Sequence, residues 1–481
     1  MPNRAALTLL VATAAVYAQT LWSSFHFDDY AIFADPAITA SDGWWRVFRL
    51  GQTRPLTYLT FWLNYRLGGG QAWGYHAVNV AAHLSVTAAA WGVFRRLVPQ
   101  PEAWAAAALF ALHPIQTEAV AYVFARATML ATLFCLLAWR DWLDGRLWRA
   151  ALWFIPALLA KEECVAFPIF LGLVSTRRQW RPIAAMVAAS VAAGVRLLWV
   201  AAHTPGAGLG SGDPWAYLRM EPQVVVKYFG LFVWPAGQNF DHEAGAFSAA
   251  GVAALAVLIG VAVWKRHENG VWLLGALVLL APSSSIVPVA DLMFEHRMYL
   301  PMISLAVAAG IVLARLPRPA GAAAVLALAV LAANRTRVWK TEETLWSDAA
   351  AKSPNKLRPK LQLARAIAAV QPDRARALLL EARRLDPSHP ETYNQMGALL
   401  LDQRNPQGAL EEFDAVLRLA PLLADAHSNR GTALFLLGRR GEAEAAVRRA
   451  LAIDPGHANA RHNLSVVTEK PAAGVGRRED R

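Results

Sequence analysis

The sequence predicts an all-α protein in two parts, a polytopic helical membrane domain followed by a solenoid of repeated helix pairs. Three observations predict it. The composition is too apolar for a soluble enzyme: 56% of 481 residues are hydrophobic and 17% charged, with a mean hydropathy of +0.29. Long apolar windows recur from Leu7 to Ala333. From Trp346 to Val467 the pattern becomes charged, with amphipathic helical periodicity. The expected division is residues 1–340 for the membrane domain, 341–467 for the repeats and 468–481, ending in EKPAAGVGRREDR, for a disordered tail.

The first apolar window covers residues 7–22. Arg4, the apolar run and Ala18 have the marks of a signal peptide, but the run continues through Leu21 and Trp22 and many spans follow, so an uncleaved first span is expected. The other candidate spans are 76–94, 103–112, 128–139, 151–173, 183–201, 248–264, 271–289, 298–314 and 321–333. Basic clusters orient them. Arg95 with Arg96, Arg140 with Arg146 and Arg149, and Arg177 with Arg178 and Arg181 are expected in the cytoplasm, which leaves FHFDDY outside.

Two windows resist a single crossing. If residues 151–173 crossed once, the clusters on either side would fall on opposite faces; two half-length helices meeting at Lys161, Glu162 and Glu163 are expected instead. WAYLRMEPQVVVKYFGLFVWP has the same parity problem and reads as an interfacial or re-entrant helix, interrupted at Pro222 and Pro235.

In the tail, Pro387, Pro421 and Pro455 recur every 34 residues, as do Gly397 with Gly431 and Ala409 with Ala443. That is the tetratricopeptide repeat length, and Tyr393, Gly397, Ala409, Phe413 and Pro421 fill its packing positions in order. Stacked pairs of this kind present a concave surface suited to a peptide.

The net charge of +12 does not point to nucleic acid, because the arginines are scattered between apolar segments and along helix faces. Cys135 and Cys164 lie in apolar windows and form neither a disulfide framework nor a metal-ligand spacing. There is no Rossmann glycine fingerprint and no P-loop, so a nucleotide sugar is not the expected donor. No dedicated metal cage is expected either; a divalent cation held through water and substrate stays open.

Charged and polar residues stranded in apolar sequence mark the candidate site. They are Asp28, Asp29, Arg54, His76, Asn79, His113, Glu118, Arg126, Lys161, Glu162, Glu295, His296 and Arg297. Nearly all fall at one membrane face. Each has a bland reading beside the functional one. The aspartates can cap a helix or pair with Arg46, Arg54 can anchor at the interface, and His76 and Asn79 can join helices. His113 can close a bend before Pro114, Glu118 can pair with Arg126, Lys161 can pair with Glu162, and Glu295 can brace Arg297.

The blocks FHFDDYAIF, RPLTYLTFWLNY, WGYHAVNVAAHL, LFALHPIQTEAVAYVFAR, LLAKEE and EHRMYLP, followed by repeats, resemble the transmembrane and tetratricopeptide repeat-containing O-mannosyltransferases. The resemblance runs through ordered blocks over most of the chain. It implies a membrane domain of glycosyltransferase class C type, a sugar donor on a polyprenyl-phosphate carrier, action outside the cytosol, and a catalytic acidic motif that falls on Asp28 and Asp29. The compact form suggests a bacterial inner-membrane member with site and repeats on the extracytoplasmic side.

Residue chemistry agrees with that implication. Moving a sugar from a phosphate to a hydroxyl needs one carboxylate as base, whereas a glycosidase needs a second, acidic carboxyl for its poor leaving group. A departing phosphate asks for positive charge instead. The expected assignment is Asp28 as base and Asp29 orienting the acceptor or a neighbouring cation. Arg297, with His296, Lys161 and Arg126 behind it, is expected on the carrier phosphate. Arg54, His76, Asn79, His113, Glu118, Glu162 and Glu295 surround the substrate. The expected partners are the bilayer, the lipid-linked sugar (mannose or another hexose) and an acceptor protein or peptide reached through the repeats. Two readings compete: the same chemistry on an envelope glycan or lipid, and a membrane-anchored repeat scaffold without catalysis.

Overall fold

The computed structural model describes residues 2–49, 51–175, 179–203, 213–243, 245–284 and 291–469. Every regular element among them is helical, as the sequence predicts. Arg177, Arg178 and most of the 468–481 tail lie outside the described residues. The chain divides between Asp348 and Ala349 into two compact units.

The first unit contains α1 (Pro2–Tyr17), α2 (Pro55–Gly68), α3 (Ala72–Leu97), α4 (Gln100–Leu112), α5 (Arg126–Leu143), α6 (Leu147–Ala160), α7 (Phe167–Val174), α8 (Trp180–His203), α9 (Pro214–Val233), α10 (Ala249–Trp264), α11 (Gly270–Leu280), α12 (Met302–Leu313) and α13 (Arg318–Val338). Five stretches are long and apolar enough to cross a bilayer: Arg4–Trp22, Ala72–Leu97, Val123–Leu143, Trp180–His203 and Arg318–Val338. The alanine run of α4, Ala105–Ala108, is buried at the centre, where short side chains let neighbouring backbones approach closely. By contrast α8 leaves Val187, Val191, Val195 and Leu198 exposed, an apolar stripe that suits lipid rather than water.

The helix break expected at Lys161 is present. Lys161 is extended (φ −157°, ψ 131°), and a 3-10 turn over Glu162–Ala166 separates α6 from α7. Breaking a helix frees backbone groups that lipid cannot satisfy, and the Thr57 hydroxyl answers by donating to the Ala160 carbonyl at 2.9 Å.

The interruption expected at Pro222 is absent. α9 runs unbroken through it, because one proline removes a single N–H from a 20-residue helix whose remaining bonds stay intact. The helix stops at Val233, before Pro235. Its contacts follow the site-bearing loops along its length: Tyr217 and Glu221 lie within electrostatic reach of Arg297, Tyr228 donates to the Phe294 carbonyl at 2.8 Å, and the Phe232 carbonyl meets His113 Nε2 at 2.9 Å. The end of α13 reaches the segment around Asp28, where the Trp339 carbonyl meets His26 Nε2 at 2.7 Å and Trp346 packs its ring against Phe27 at 6.0 Å.

The second unit stacks the pairs Leu357–Ile367 with Pro372–Leu385, Pro390–Asp402 with Pro406–Leu419, and Ala424–Leu436 with Arg440–Ile453, closed by Ala458–Thr468. A Cβ on Gly397 would stand 2.5 Å from the Phe413 ring, and one on Gly431 would stand 2.4 Å from Val447, so each pair closes through its glycine. Gly397→Val is expected to cost the repeats about 1–3 kcal/mol by overpacking. Hydrogen exchange of the full chain, with faster exchange confined to Pro390–Leu419, is the check.

Candidate functional site

Asp28 and Asp29 sit on a 3-10 turn over Phe27–Tyr30 that follows α1. Phe27 holds φ +47°, a left-handed conformation that is costly for a bulky residue, and the rings of Phe240 and Trp346 clamp it. The two carboxylates have different surroundings. Asp29 is fully buried and accepts backbone N–H groups from His26 at 3.0 Å and Phe124 at 2.8 Å. Burial pushes its pKa up to about 8, against the pull of those N–H groups, and the neighbouring Asp28 charge adds to the rise. Asp29 therefore ties the turn to the 123–125 segment, and backbone N–H groups occupy its oxygens where the sequence reading expected an acceptor or a cation. The alternative pairing with Arg46 is also absent, since Arg46 binds Asp42 at 2.7 Å.

Asp28 is half-buried, and its Oδ2 accepts from the Tyr122 hydroxyl at 2.9 Å. Tyr122 was not among the expected site residues. It lies inside the AVAYVFAR block, but a search for stranded charges passes over a tyrosine. Its ring lies 6.4 Å from that of His296, so the aspartate turn and the EHRM turn meet through it.

His296 Nδ1 pairs with the Glu118 carboxylate, which also accepts the backbone N–H of Glu295 at 3.1 Å. Burial holds the His296 imidazole well below its usual pKa, and the positive charges of Lys161, Arg297 and Arg54 deepen the effect. All three cations lie within electrostatic reach of the imidazole. Burial and the Glu295 charge hold Glu118 well above the carboxylate range. Glu118 thus serves His296 and not Arg126. Glu295 accepts from Gln238 at 2.9 Å and the Asn239 N–H at 2.7 Å, and it pairs with His242 at 3.0 Å, so it braces the 238–242 segment instead of Arg297.

Among the cations, Arg54 engages Glu162 through Nε at 3.0 Å and through Nη2. Lys161 Nζ bonds Thr128 at 2.7 Å and Glu163 at 2.8 Å, not Glu162. Tyr58 lies within electrostatic reach of Arg54, Asp28 and Glu162 alike, which joins this group to the aspartate turn. Arg297 donates to the carbonyls of Leu292 and Asp291 at 2.9 and 2.6 Å and reaches toward Tyr217 and Glu221.

Arg126 stands apart. It is fully buried, lies 4.6 Å over the Phe61 ring, and bonds Asn79 Oδ1, Asn64 Oδ1, Thr60 and the Tyr75 carbonyl at 2.6–3.2 Å. Four of its five N–H groups are thus bonded to protein acceptors, which favours a structural role over the expected contact with the carrier phosphate. Asn79 joins α3 to the Val120 and Tyr122 carbonyls, and His76 is buried beside Phe25. His113 accepts the Ile115 N–H at 3.1 Å and closes the bend before Pro114. These four hold the scaffold beneath the site. Among the described residues no group of three or more His, Cys, Asp or Glu side chains is placed to hold a metal ion.

Residues 394–458 match the Tetratricopeptide repeat family. The Protein O-mannosyl-transferase Tmtc2 of Drosophila melanogaster is 40% identical over 150 residues, covering 28% of this chain and 16% of that protein. The Protein O-mannosyl-transferase F38B6.6 of Caenorhabditis elegans is 25% identical over 395 residues, covering 71% of this chain and 57% of that protein. Human TMTC2, of the same descriptive name, is 35% identical over 140 residues, covering 26% and 17%. The matches therefore span 16% to 57% of the length of these relatives. This chain is thus similar to the TMTC protein O-mannosyl-transferases, and it carries tetratricopeptide repeats after a helical unit with apolar helices long enough to cross a membrane.

Proposed function

We propose that the protein transfers a sugar, mannose or another hexose, from a polyprenyl-phosphate carrier to serine or threonine hydroxyls of exported proteins. The supporting observation is the meeting of the Asp28–Tyr122 pair with the His296 imidazole, within electrostatic reach of Lys161, Arg297 and Arg54. The names of the relatives add a sugar and a protein acceptor.

In this reading Asp28 takes the proton of the acceptor hydroxyl as its oxygen bonds the anomeric carbon. The bond from that carbon to the phosphate oxygen breaks on the opposite side, and the electron pair leaves with the phosphate. Configuration at the carbon inverts, because no carboxylate attacks it first. Arg54, Lys161 and Arg297 neutralise the departing anion, each freed in part from its present acid or carbonyl partner. Asp29 positions the turn and takes no part in the transfer. The site faces the extracytoplasmic side of a bacterial inner membrane, and the repeats emerge there and present the acceptor chain in their concave face.

The test is incubation of the purified chain with polyprenyl-phosphate-linked radiolabelled mannose and serine/threonine-rich peptides. Label released from peptide by β-elimination is the expected result. Label appearing only in glycan or lipid would move the acceptor, and no turnover of any polyprenyl-phosphate hexose would end the reading. A reporter fused after Val467 is expected to be exported; a cytoplasmic reporter contradicts the placement of the repeats.

A further inference from the structure

A groove of 310 Å³ opens between α6 and α8. Its walls are aliphatic, with Ile155, Leu158 and Leu159 on α6 facing Ala189, Ala192, Ala193 and Leu197 on α8. The alanines create the space, since larger residues there would close it. The apolar stripe of α8, Val191, Val195 and Leu198, is exposed beside it, so the groove opens toward lipid.

One end is polar. Thr53, Glu162 and Arg196 line it, and Glu162 is the partner of Arg54 in the site already described. Arg196 lies fifteen residues beyond Arg181, about 22 Å along a helix. That distance carries it from the basic end of α8 to the level of the aspartate turn's face. Its Nη2 donates to the carbonyls of Arg49, at 3.2 Å, and Gln52, which docks the first loop onto α8. Its Nε is buried and has no hydrogen-bond partner among the described residues. The rest of the guanidinium lines the head of an aliphatic groove, and the ligand that suits a cation there has an anionic head and a hydrocarbon tail.

We infer that this groove receives the first isoprene units of a polyprenyl phosphate, with Arg196 donating to its phosphate beside the Arg54–Glu162 pair. The inference rests on the lipid-linked donor of the proposed function and adds where the chain enters. The groove is one helix pair wide and has the volume of a small-molecule pocket, too small for a whole polyprenyl chain. It therefore fits a single strand of hydrocarbon, with the remainder running along Val191, Val195 and Leu198 into the bilayer. A two-chain phospholipid does not match a single channel with one head-level donor.

The test uses the full chain in nanodiscs and a polyprenyl phosphate bearing a diazirine in its first isoprene unit, with cross-linked peptides mapped by mass spectrometry. Cross-links are expected on 147–160 and 180–203. Ala192→Phe, which fills the groove, is expected to reduce them at least tenfold, while Val187→Phe, on the same helix but outside the groove, leaves them unchanged. Arg196→Gln is expected to weaken polyprenyl phosphate about tenfold and to leave uncharged polyprenol unaffected. Thermal melting confirms that each variant is folded. Cross-links elsewhere, an Ala192→Phe variant that labels like the parent, or equal displacement of the probe by phosphatidylglycerol would overturn the inference. Because labelling needs no turnover, labelled grooves without transfer would sink the proposed function alone, and transfer without groove labelling would sink this inference alone.

Discussion

Asp28→Asn is expected to lower sugar transfer by about 10²–10⁴-fold, the usual worth of a positioned general base, in a chain that melts like the parent. The reason is the asymmetry of the pair. Asp28 is half-buried beside Tyr122, so an amide there keeps its neighbours while losing the power to take a proton. Asp29 is enclosed by the backbone N–H groups of His26 and Phe124. Asn at position 29 sets an N–H₂ against one of those donors, which costs about 1–3 kcal/mol. Asp29→Asn is therefore expected to lower the melting temperature and to lose activity only in step with folding. Single-turnover rates paired with melting curves separate the two. Equal loss of rate in both variants at unchanged stability would make both aspartates reactive and contradict the division.

Arg126→Met is the second large effect, and it falls on stability. The substitution leaves Asn79 Oδ1, Asn64 Oδ1 and the Tyr75 carbonyl without their donor in a dry interior. Each orphaned acceptor costs about 1–3 kcal/mol, so a total of about 3–5 kcal/mol is expected after relaxation. Arg126→Lys repairs little, because an ammonium on a flexible stem cannot reproduce a planar fork with acceptors on several sides. Thermal melting in detergent reads the loss. If Arg126 held the carrier phosphate instead, Arg126→Met would melt like the parent and raise the KM for the lipid donor.

Much of this architecture is legible in the sequence because its signals are local. The 34-residue period needs only spacing, and the apolar windows need only length. The break at Lys161 follows from charges flanking a window too long to turn and too awkward to cross. Pro222 misleads because proline reports a lost N–H, not whether the rest of the helix can hold without it.

The site is less legible, because charge in an apolar sequence marks two kinds of residue. Arg126 and Arg54 look alike in one dimension. Only the fold shows that the first bonds neutral side chains and a carbonyl in the interior while the second meets the carboxylate of Glu162. Tyr122 and Arg196 escape for opposite reasons. The tyrosine is uncharged, and the arginine sits inside a predicted span, where a single cation near a helix end reads as an anchor.

The most direct measurement of the central claim is a structure of the chain in nanodiscs with a non-transferable polyprenyl-phosphate sugar bound. The account predicts the anomeric carbon facing Asp28 and the phosphate among Arg54, Lys161 and Arg297 beside His296. A phosphate seated at the opposite membrane face, near Arg95 and Arg140, with Asp28 remote from the sugar, would contradict it.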